Sequence, residues 1–444
     1  MRSLDNARVT VMGLGRFGGG LGVTQWLATR GAQVLVTDMK PAETFTEELA
    51  TLAPLTRSGQ VTLRLGEHNV SDFTTCDLVV ANAAVPTPWN NRFLRAAQAA
   101  GIEVTTEISL LVANLTRETR DSRTIAITGS VGKSTTTAMI AHALRHAGID
   151  TKVGGNLGGS LLNDLTTITP DTWIVLELSS AQLHWIETTT PFSPRIAVVT
   201  AFAENHLDWH GDLTHYRESK RHILRHQRAG DIAIIARELD DWLPSVQPGV
   251  RVIRPQIADI TGDMILPGDH NRANAAAALA ACTAAIPTLP ADRIRESLLT
   301  YPGLEHRLEF VREVAGVKYY NDSKSTTPGA TLTALAAIGA ATPLARVHLI
   351  AGGYDKKVSL RDLADLAHKV AGVYAIGATA PIIVQESTGK AKDCGTLAHA
   401  FIEIKQRVKP GDVVLLSPGC ASWGQFDNFE QRGEQFKQLV EGAS

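Results

Sequence analysis

Cysteine is scarce in this chain: Cys76, Cys282, Cys394 and Cys420 are the four thiols in 444 residues, far apart and without a C-x-x-C pair. That spacing suggests neither a zinc cluster nor a disulfide framework, and it fits a reducing compartment. An excess of one charge is missing too. With 43 basic and 45 acidic residues the net charge is -2, which argues against a nucleic-acid or anionic-membrane surface and for local charged sites. No apolar run approaches the roughly 18 residues of a membrane span, and a strand begins by Val9, which leaves no room for a signal peptide. The expectation is a cytoplasmic monomer that acts on small molecules, with no nucleic-acid or membrane partner. Tandem repeats and low-complexity stretches are also absent, so the length divides into ordinary globular domains.

The most informative stretch is Thr124-Ile-Ala-Ile-Thr-Gly-Ser-Val-Gly-Lys-Ser-Thr-Thr136, a buried strand that ends in a glycine turn and hands over to a helix. Gly129, Ser130 and Gly132 form the turn, where backbone N–H groups can approach phosphate oxygens. Lys133 adds a point charge, and Ser134 or Thr135 offers a hydroxyl to Mg²⁺. Two residues separate the glycines, so this is the short G-x-x-G-K-[ST] form, not the four-residue spacing of the usual Walker loop. Nucleotide binding is expected; the alternative is a plain glycine turn.

Upstream, Arg8-Val-Thr-Val-Met-Gly-Leu-Gly-Arg-Phe-Gly18 is a strand leading into G-x-G-x-x-G. A helix and the strand Gln33-Val-Leu-Val-Thr-Asp38 follow, with the terminal acid placed to hold a ribose or sugar hydroxyl. A nucleotide-like ligand or simple strand–helix packing would each satisfy that pattern. Further strands are predicted at 78–81, 102–105, 173–178, 195–200, 231–236, 317–321, 346–353, 373–377 and 412–417, with helices such as 92–100 and 271–285 between them. Such alternation predicts parallel sheets in three α/β domains. Residues 244–255 read as irregular, and Tyr301-Pro-Gly303 reads as a hinge.

Polar residues collect where these strands end. Glu177, in Leu176-Glu-Leu-Ser-Ser-Ala-Gln-Leu183, sits in an apolar run where an unpaired carboxylate is costly, so a metal-binding or catalytic role is expected. His206, in Glu204-Asn-His-Leu-Asp208, is either a second metal ligand or a hydrogen-bonding group. Lys220 shares a helix with Arg221, Arg225 and Arg228, and by charge pattern alone it belongs to a solvated face. In the last third, Asp322-Ser-Lys-Ser-Thr-Thr327 and Ser417-Pro-Gly-Cys-Ala-Ser422 both follow strands. Together they suggest an anionic substrate, although turn capping explains either alone.

Taken in order, Gly129-Ser-Val-Gly-Lys-Ser-Thr135, Glu177-Leu-Ser-Ser180, Asn205-His-Leu-Asp208, Leu266-Pro-Gly-Asp-His-Asn-Arg-Ala-Asn274, His306-Arg307, Asn321-Asp-Ser-Lys324 and Leu416-Ser-Pro-Gly-Cys-Ala-Ser422 through Asn428-Phe-Glu-Gln-Arg-Gly433 resemble the Mur ligase family. The resemblance implies an α/β chain of three domains. Residues 1–107 would be an N-terminal Rossmann-like UDP-binding domain, 108–302 a central P-loop ATPase with a mostly parallel sheet, and 303–444 a C-terminal Rossmann-like domain for an amino acid. It implies an ATP-dependent amide ligase that joins D-glutamate to UDP-N-acetylmuramoyl-L-alanine in peptidoglycan precursor synthesis. The substrate carboxylate would take the ATP γ-phosphoryl group as an acyl phosphate, and the incoming amine would displace phosphate, with Mg²⁺ neutralising charge at both steps.

Carried onto this chain, the resemblance gives Lys133 the β- and γ-phosphates and gives Ser134 and Glu177 a first Mg²⁺. His206 would serve a second Mg²⁺ together with a carbamate on Lys220, which replaces the solvated-face reading of that lysine. Asn271, Asn274 and Arg307 would contact ATP. Gly15, Arg16, Asp38 and Lys40 would hold the UDP moiety, and Asn156, in Gly154-Gly-Asn-Leu-Gly158, the UDP-sugar substrate or phosphate. Lys324, Thr326, Ser422 and Phe429 would grip D-glutamate, while Arg432 and Lys356 or Lys357 would close over ATP and substrate. The chain departs from the family at Val131, where an asparagine is usual, at Asn205, where aspartate is common, and at Trp423-Gly424. Other readings remain: a folylpolyglutamate-like ligase, which would lack the 13–18 loop and Asp38; an NAD-binding oxidoreductase, if the first domain is taken alone; and a nucleotide-binding regulator without turnover.

Overall fold

Short runs of Val, Ile and Leu bounded by glycine form strands because branched side chains pack well on a pleated surface, and burial on both faces favours parallel pairing. In the computed structural model, which describes residues 4–15, 18–115, 123–204, 206–355 and 359–442, these strands make three sheets. The first contains β1 (Arg8–Met12), β2 (Gln33–Asp38), β3 (Val61–Leu65), β4 (Leu78–Ala81) and β5 (Glu103–Thr106), all parallel in the order β3-β2-β1-β4-β5. The second contains β6 (Thr124–Thr128), β7 (Thr151–Gly155), β8 (Trp173–Glu177), β9 (Ile196–Val199), β10 (Ile232–Ile235) and β11 (Arg251–Ile253). Its order is β11-β10-β9-β6-β8-β7, again all parallel. The third contains β12 (Glu309–Val314), β13 (Val317–Asn321), β14 (Val347–Gly352), β15 (Gly372–Ile376), β16 (Lys392–Gly395) and β17 (Val413–Leu416), in the order β12-β13-β17-β14-β15-β16. There β12 runs antiparallel to β13, and the remaining pairs are parallel.

Strand order places the chemistry. In the first sheet the chain winds outward on both sides of β1; in the second it passes from β6 to the edge strand β7, returns to β8 beside β6, and crosses to β9 on the other side. Ligands of such sheets bind at the carboxyl ends where the winding changes side. In the first sheet the reversal lies between β1 and β4, so the glycine loop after Met12 and the turn at Asn82 face one crevice. In the second it surrounds β6, whose five residues are all buried between β8 and β9. Thr128, Glu177 and Val199 therefore end together.

The inner strands lie where the apolar runs predicted them. The edge strands β3, β7, β11, β12 and β16 were not foreseen, and β11 occupies part of the stretch that read as irregular. An edge strand has a neighbour on one side alone and tolerates polar and glycine residues, so sequences such as Thr151-Lys-Val-Gly-Gly155 carry a weak signal. All four cysteines are buried and free. The chain divides into two compact units, Met1–Gln256 with Ala276–Ile294, and Ile257–Ala275 with Arg295–Ser444, so the first and second sheets share a unit. Among the described residues no helix is long and apolar enough to cross a membrane.

Candidate active site

The glycine turn after β6 is held open from several sides. Gly129 and Gly132 have φ of 147° and 86°, in the region that glycine enters without a Cβ penalty. Ser130 N–H donates to Ala201 O at 2.6 Å, Ser130 Oγ to Ala203 O at 2.8 Å, and Thr200 Oγ1 to Val131 O at 2.6 Å. Lys133 Nζ donates to Ser130 O at 3.2 Å and begins helix Lys133–His146, which also carries Ser134 and Thr135. The Val131 side chain is exposed and makes no part of this scaffold; its carbonyl does the anchoring. The turn is thus fixed by backbone groups while the N-terminus of a 14-residue helix stays open to an anion.

Glu177 ends β8 almost fully buried. Its Oε1 accepts from Asn156 Nδ2 at 3.1 Å, and its Oε2 is buried without a hydrogen-bond partner. A lone carboxylate oxygen in that setting calls for a cation, because an unpaired buried charge is strongly disfavoured.

Lys220 corrects the charge-pattern reading: it is 1% exposed, not part of a solvated face. Helix Leu213–Arg225 buries Tyr216, Ser219, Lys220, Ile223 and Leu224, a stripe at three- and four-residue spacing that places the lysine inside. That spacing was present in the sequence and would have found it. Lys220 Nζ donates to Gly129 O at 2.8 Å and lies 4.8 Å from the Tyr216 ring, whose hydroxyl bonds Ser130 Oγ at 2.8 Å. Burial, and then the charge of Lys133, push the Lys220 ammonium well below its ordinary range despite the opposing pull of Glu177. Arg225 does lie on the outer face, paired with Glu187, while Arg221 is half-buried between Glu218, Asp241 and the Trp242 ring.

His206 caps the short helix Leu207–His210 in a left-handed conformation, φ 54°. Burial, followed by Lys220 and Lys133, pulls its pKa down, which favours the neutral imidazole, the form that ligates metals.

A cavity of about 910 Å³ is lined by Gly15, Asp38, Lys40, Lys133, Asn156, His206 and Lys220 together with apolar residues. Gly15, Asp38, Lys40 and Asn156 from the set expected for a UDP-linked substrate thus share one space with Lys133, His206 and Lys220 from the catalytic set, while Glu177 reaches that wall through its bond to Asn156. Asp38 accepts from Leu14 N at 3.0 Å and Lys40 N at 2.9 Å, so its carboxylate also shapes the first glycine loop. The same wall contains Glu107, Ser180, Gln182 and His210, which the sequence reading did not single out. The capping box of Ser179 with Gln182 was the one available signal for that wall.

The second unit, described by itself, holds the remaining expected residues. Asn271 and Asn274 are buried on helix Asp269–Ala285, and Asn271 Nδ2 donates to Pro267 O at 2.8 Å. Arg307 lies in the turn before β12, where its N–H donates to Leu304 O at 2.9 Å. Lys324 is exposed, with Nζ 5.2 Å from the Phe429 ring, while Thr326 is half-buried and Ser422 buried. Asp322 beneath them accepts from Ser417 Oγ at 2.7 Å and Ser325 Oγ at 2.5 Å, and burial raises its pKa to about 6. Arg432 differs from expectation. It is fully buried, bonded to Ser323 Oγ at 2.9 Å, Ser323 O at 2.8 Å and Cys420 O at 3.2 Å, and so ties the loops together instead of closing over a ligand. Arg16, Asn205, Lys356 and Lys357 lie outside the described residues.

Set against known proteins, residues 7–106 match the Mur ligase MurD-like N-terminal domain, 127–248 the Mur ligase middle domain, and 306–420 the Mur ligase glutamate ligase domain. The chain is 37% identical to the UDP-N-acetylmuramoylalanine--D-glutamate ligase of Roseiflexus sp. (strain RS-1), with 99% of each chain covered. It is 36% identical to the protein of that name from Koribacter versatilis (strain Ellin345), covering 98% of this chain and 97% of the relative. Its fold is similar to that of UDP-N-acetylmuramate-alanine ligase MurC from Thermotoga maritima, with a TM-score of 0.58, 18% identity, and 99% and 100% coverage of the two chains. MurF ligase from Thermotoga maritima in complex with ADP gives a TM-score of 0.54 at 16% identity, with both chains fully covered.

Proposed function

The chain belongs to the Mur ligase family, and from that premise we propose how its site joins D-glutamate to UDP-N-acetylmuramoyl-L-alanine at the cost of ATP, a step of peptidoglycan precursor synthesis. Residues 1–107 take the UDP substrate through Gly15, Asp38 and Lys40, residues 108–302 take ATP on the 129–135 turn, and residues 303–444 take the amino acid. Asn156 holds the sugar end of the UDP substrate near Glu177. Lys133 and the turn N–H groups bind the β- and γ-phosphates, with Asn271, Asn274 and Arg307 as further ATP contacts. Lys324, Thr326, Ser422 and Phe429 hold D-glutamate.

The substrate carboxylate attacks the γ-phosphorus, ADP leaves, and an acyl phosphate remains. The D-glutamate amine then attacks the acyl carbon, and the tetrahedral intermediate expels phosphate with loss of the amine proton. The unpaired Glu177 Oε2 and the Ser134 hydroxyl fit Mg²⁺, and His206 with Lys220 fits a second ion. Bound Mg²⁺ supplies positive charge for the phosphoryl oxygens. Among the described residues no group of three or more His, Cys, Asp or Glu side chains is set to hold a metal by itself, and phosphate oxygens and a carbamate on Lys220 would add to the ligands that Glu177, Ser134 and His206 would offer. Lys220 suits carbamate formation because burial shifts its ammonium toward the neutral amine. The Nζ lone pair attacks CO₂, one N–H proton leaves to solvent, and the product is an anion beside Lys133.

The observation that carries this reading is the buried, depressed Lys220 amine on the phosphate turn, next to a buried carboxylate with a free oxygen. Phosphate release from ATP and Mg²⁺ is expected to need both UDP-N-acetylmuramoyl-L-alanine and D-glutamate. Release that ignores either substrate would sink the assignment.

A further inference from the structure

One part of the cavity wall has no role in the chemistry above. Ser180 opens helix Ser180–Thr189, and its Oγ lies 2.8 Å from Nε2 of His210. His210 Nδ1 in turn lies 2.9 Å from Nδ1 of His215. Ser180 and His210 both line the cavity and are almost fully buried. His210 closes helix Leu207–His210, while His215 is pinned in the first turn of helix Leu213–Arg225 by its own N–H, which donates to Asp212 Oδ1 at 2.8 Å. Three separate helices therefore meet in one hydrogen-bonded row.

His210 is 2% exposed, and its Nε2 faces a hydroxyl and its Nδ1 another imidazole nitrogen, with a carboxylate at neither, so the ring is neutral. A neutral imidazole has one N–H and one lone pair. Since both of its nitrogens have a partner at bonding distance, the two bonds must run in the same direction. Either Ser180 donates to His210 and His210 to His215, or the row runs the other way. Its direction decides whether Ser180 shows the cavity a proton or a lone pair.

We propose that His210 is a positioning residue that turns the Ser180 hydroxyl into a donor toward an oxyanion of the UDP-linked substrate. His215 Nδ1–H donates to His210 Nδ1, His210 Nε2–H donates to Ser180 Oγ, and the Ser180 O–H is left for the ligand. Charge sets this direction. Lys40 and Lys133 line the same cavity beside Asp38 and Asp208, and the UDP-linked substrate read into it brings phosphate and carboxylate oxyanions, which accept hydrogen bonds without giving any. The inference rests on the reading of the cavity as the UDP-substrate site.

Nitrogen-15 NMR of histidine-labelled protein saturated with UDP-N-acetylmuramoyl-L-alanine reads the tautomers, with His210→Phe and His215→Phe used to assign the signals. Protonation of His210 at Nε2 and of His215 at Nδ1 is expected; His210 protonated at Nδ1 overturns the proposal. In kinetics, Ser180→Ala and His210→Phe are each expected to raise KM for the UDP substrate about tenfold, which is about 1.4 kcal/mol, and to leave KM for ATP unchanged. The double variant is expected to be no worse than either single one, and His210→Gln, which keeps an N–H, is expected to recover part of the loss. Additive effects in the double variant, or an unchanged KM in His210→Phe, overturn it. Failure of the underlying site reading looks different: wild-type protein would then release phosphate without regard to the UDP substrate.

Discussion

Lys220 shows how much one side chain can hide. A cation on a helix with three arginines is usually solvated, yet this one faces inward because its position coincides with the apolar stripe of Tyr216, Ile223 and Leu224. Charge composition was the wrong guide, and helical phase the right one. Once buried, the amine can exist neutral or as an adduct that carries negative charge, and the second serves a ligase better. Lys220→Ala is expected to lower kcat at least about 100-fold, the scale of losing a preorganised electrostatic group. Short carboxylates in the buffer are expected to restore part of that rate by occupying the place of the carbamate. A variant with wild-type turnover would return Lys220 to a structural role as the donor to Gly129 O. Contacts that cross between elements, such as Ser180 with His210 and Arg432 with Ser323, had no such signal, because their partners are 30 and 109 residues apart.

At the level of elements, what could be read from the sequence followed burial. Strands enclosed on both sides, such as β6 and β8, carry continuous apolar runs and were legible. The edge strand β3, with Thr62 and Leu63 exposed, was not. The phosphate turn was legible for another reason: its glycines answer a backbone requirement. Gly129 has φ 147°, and a Cβ there would overlap Thr200 Oγ1 and press on Ala201 O, both of which hold the turn. Gly129→Ala is therefore expected to cost about 1–3 kcal/mol of local strain. The expected readout is a loss of ATP affinity, measured by calorimetric titration, larger than the drop in thermal stability of the free protein. A variant that binds ATP as the wild type does would mean that the turn relaxes without disturbing its N–H groups.

At the scale of the first compact unit, two sheets must hold one cavity between them, and polar links do part of that work. Ser160 Oγ, beyond β7, donates to Glu107 Oε1 at 2.5 Å just after β5. Asn163 Nδ2 donates to Gly22 O at 3.1 Å, and Trp209 Nε1 to Ala83 O at 3.2 Å. Glu107 makes this arrangement sensitive to pH. Desolvation raises its pKa to about 7, with the Ser160 bond opposing, so the folded unit prefers the protonated acid. A folded pKa above the unfolded one gives stability that is complete below the unfolded pKa of about 4.5 and is lost as pH rises through about 7. With about 1.4 kcal/mol per pKa unit, the loss by pH 8 has an upper bound of about 3 kcal/mol. Glu107→Gln keeps a hydrogen-bond acceptor for Ser160 and removes the titration. Urea unfolding at pH 5 and pH 8 should therefore show the variant losing less stability than the wild type across that interval. Asp322 titrates in the same direction but is common to both proteins and cancels in the difference. If the two proteins lost stability equally, the carboxyl would be solvated and the link between the sheets would owe nothing to its proton.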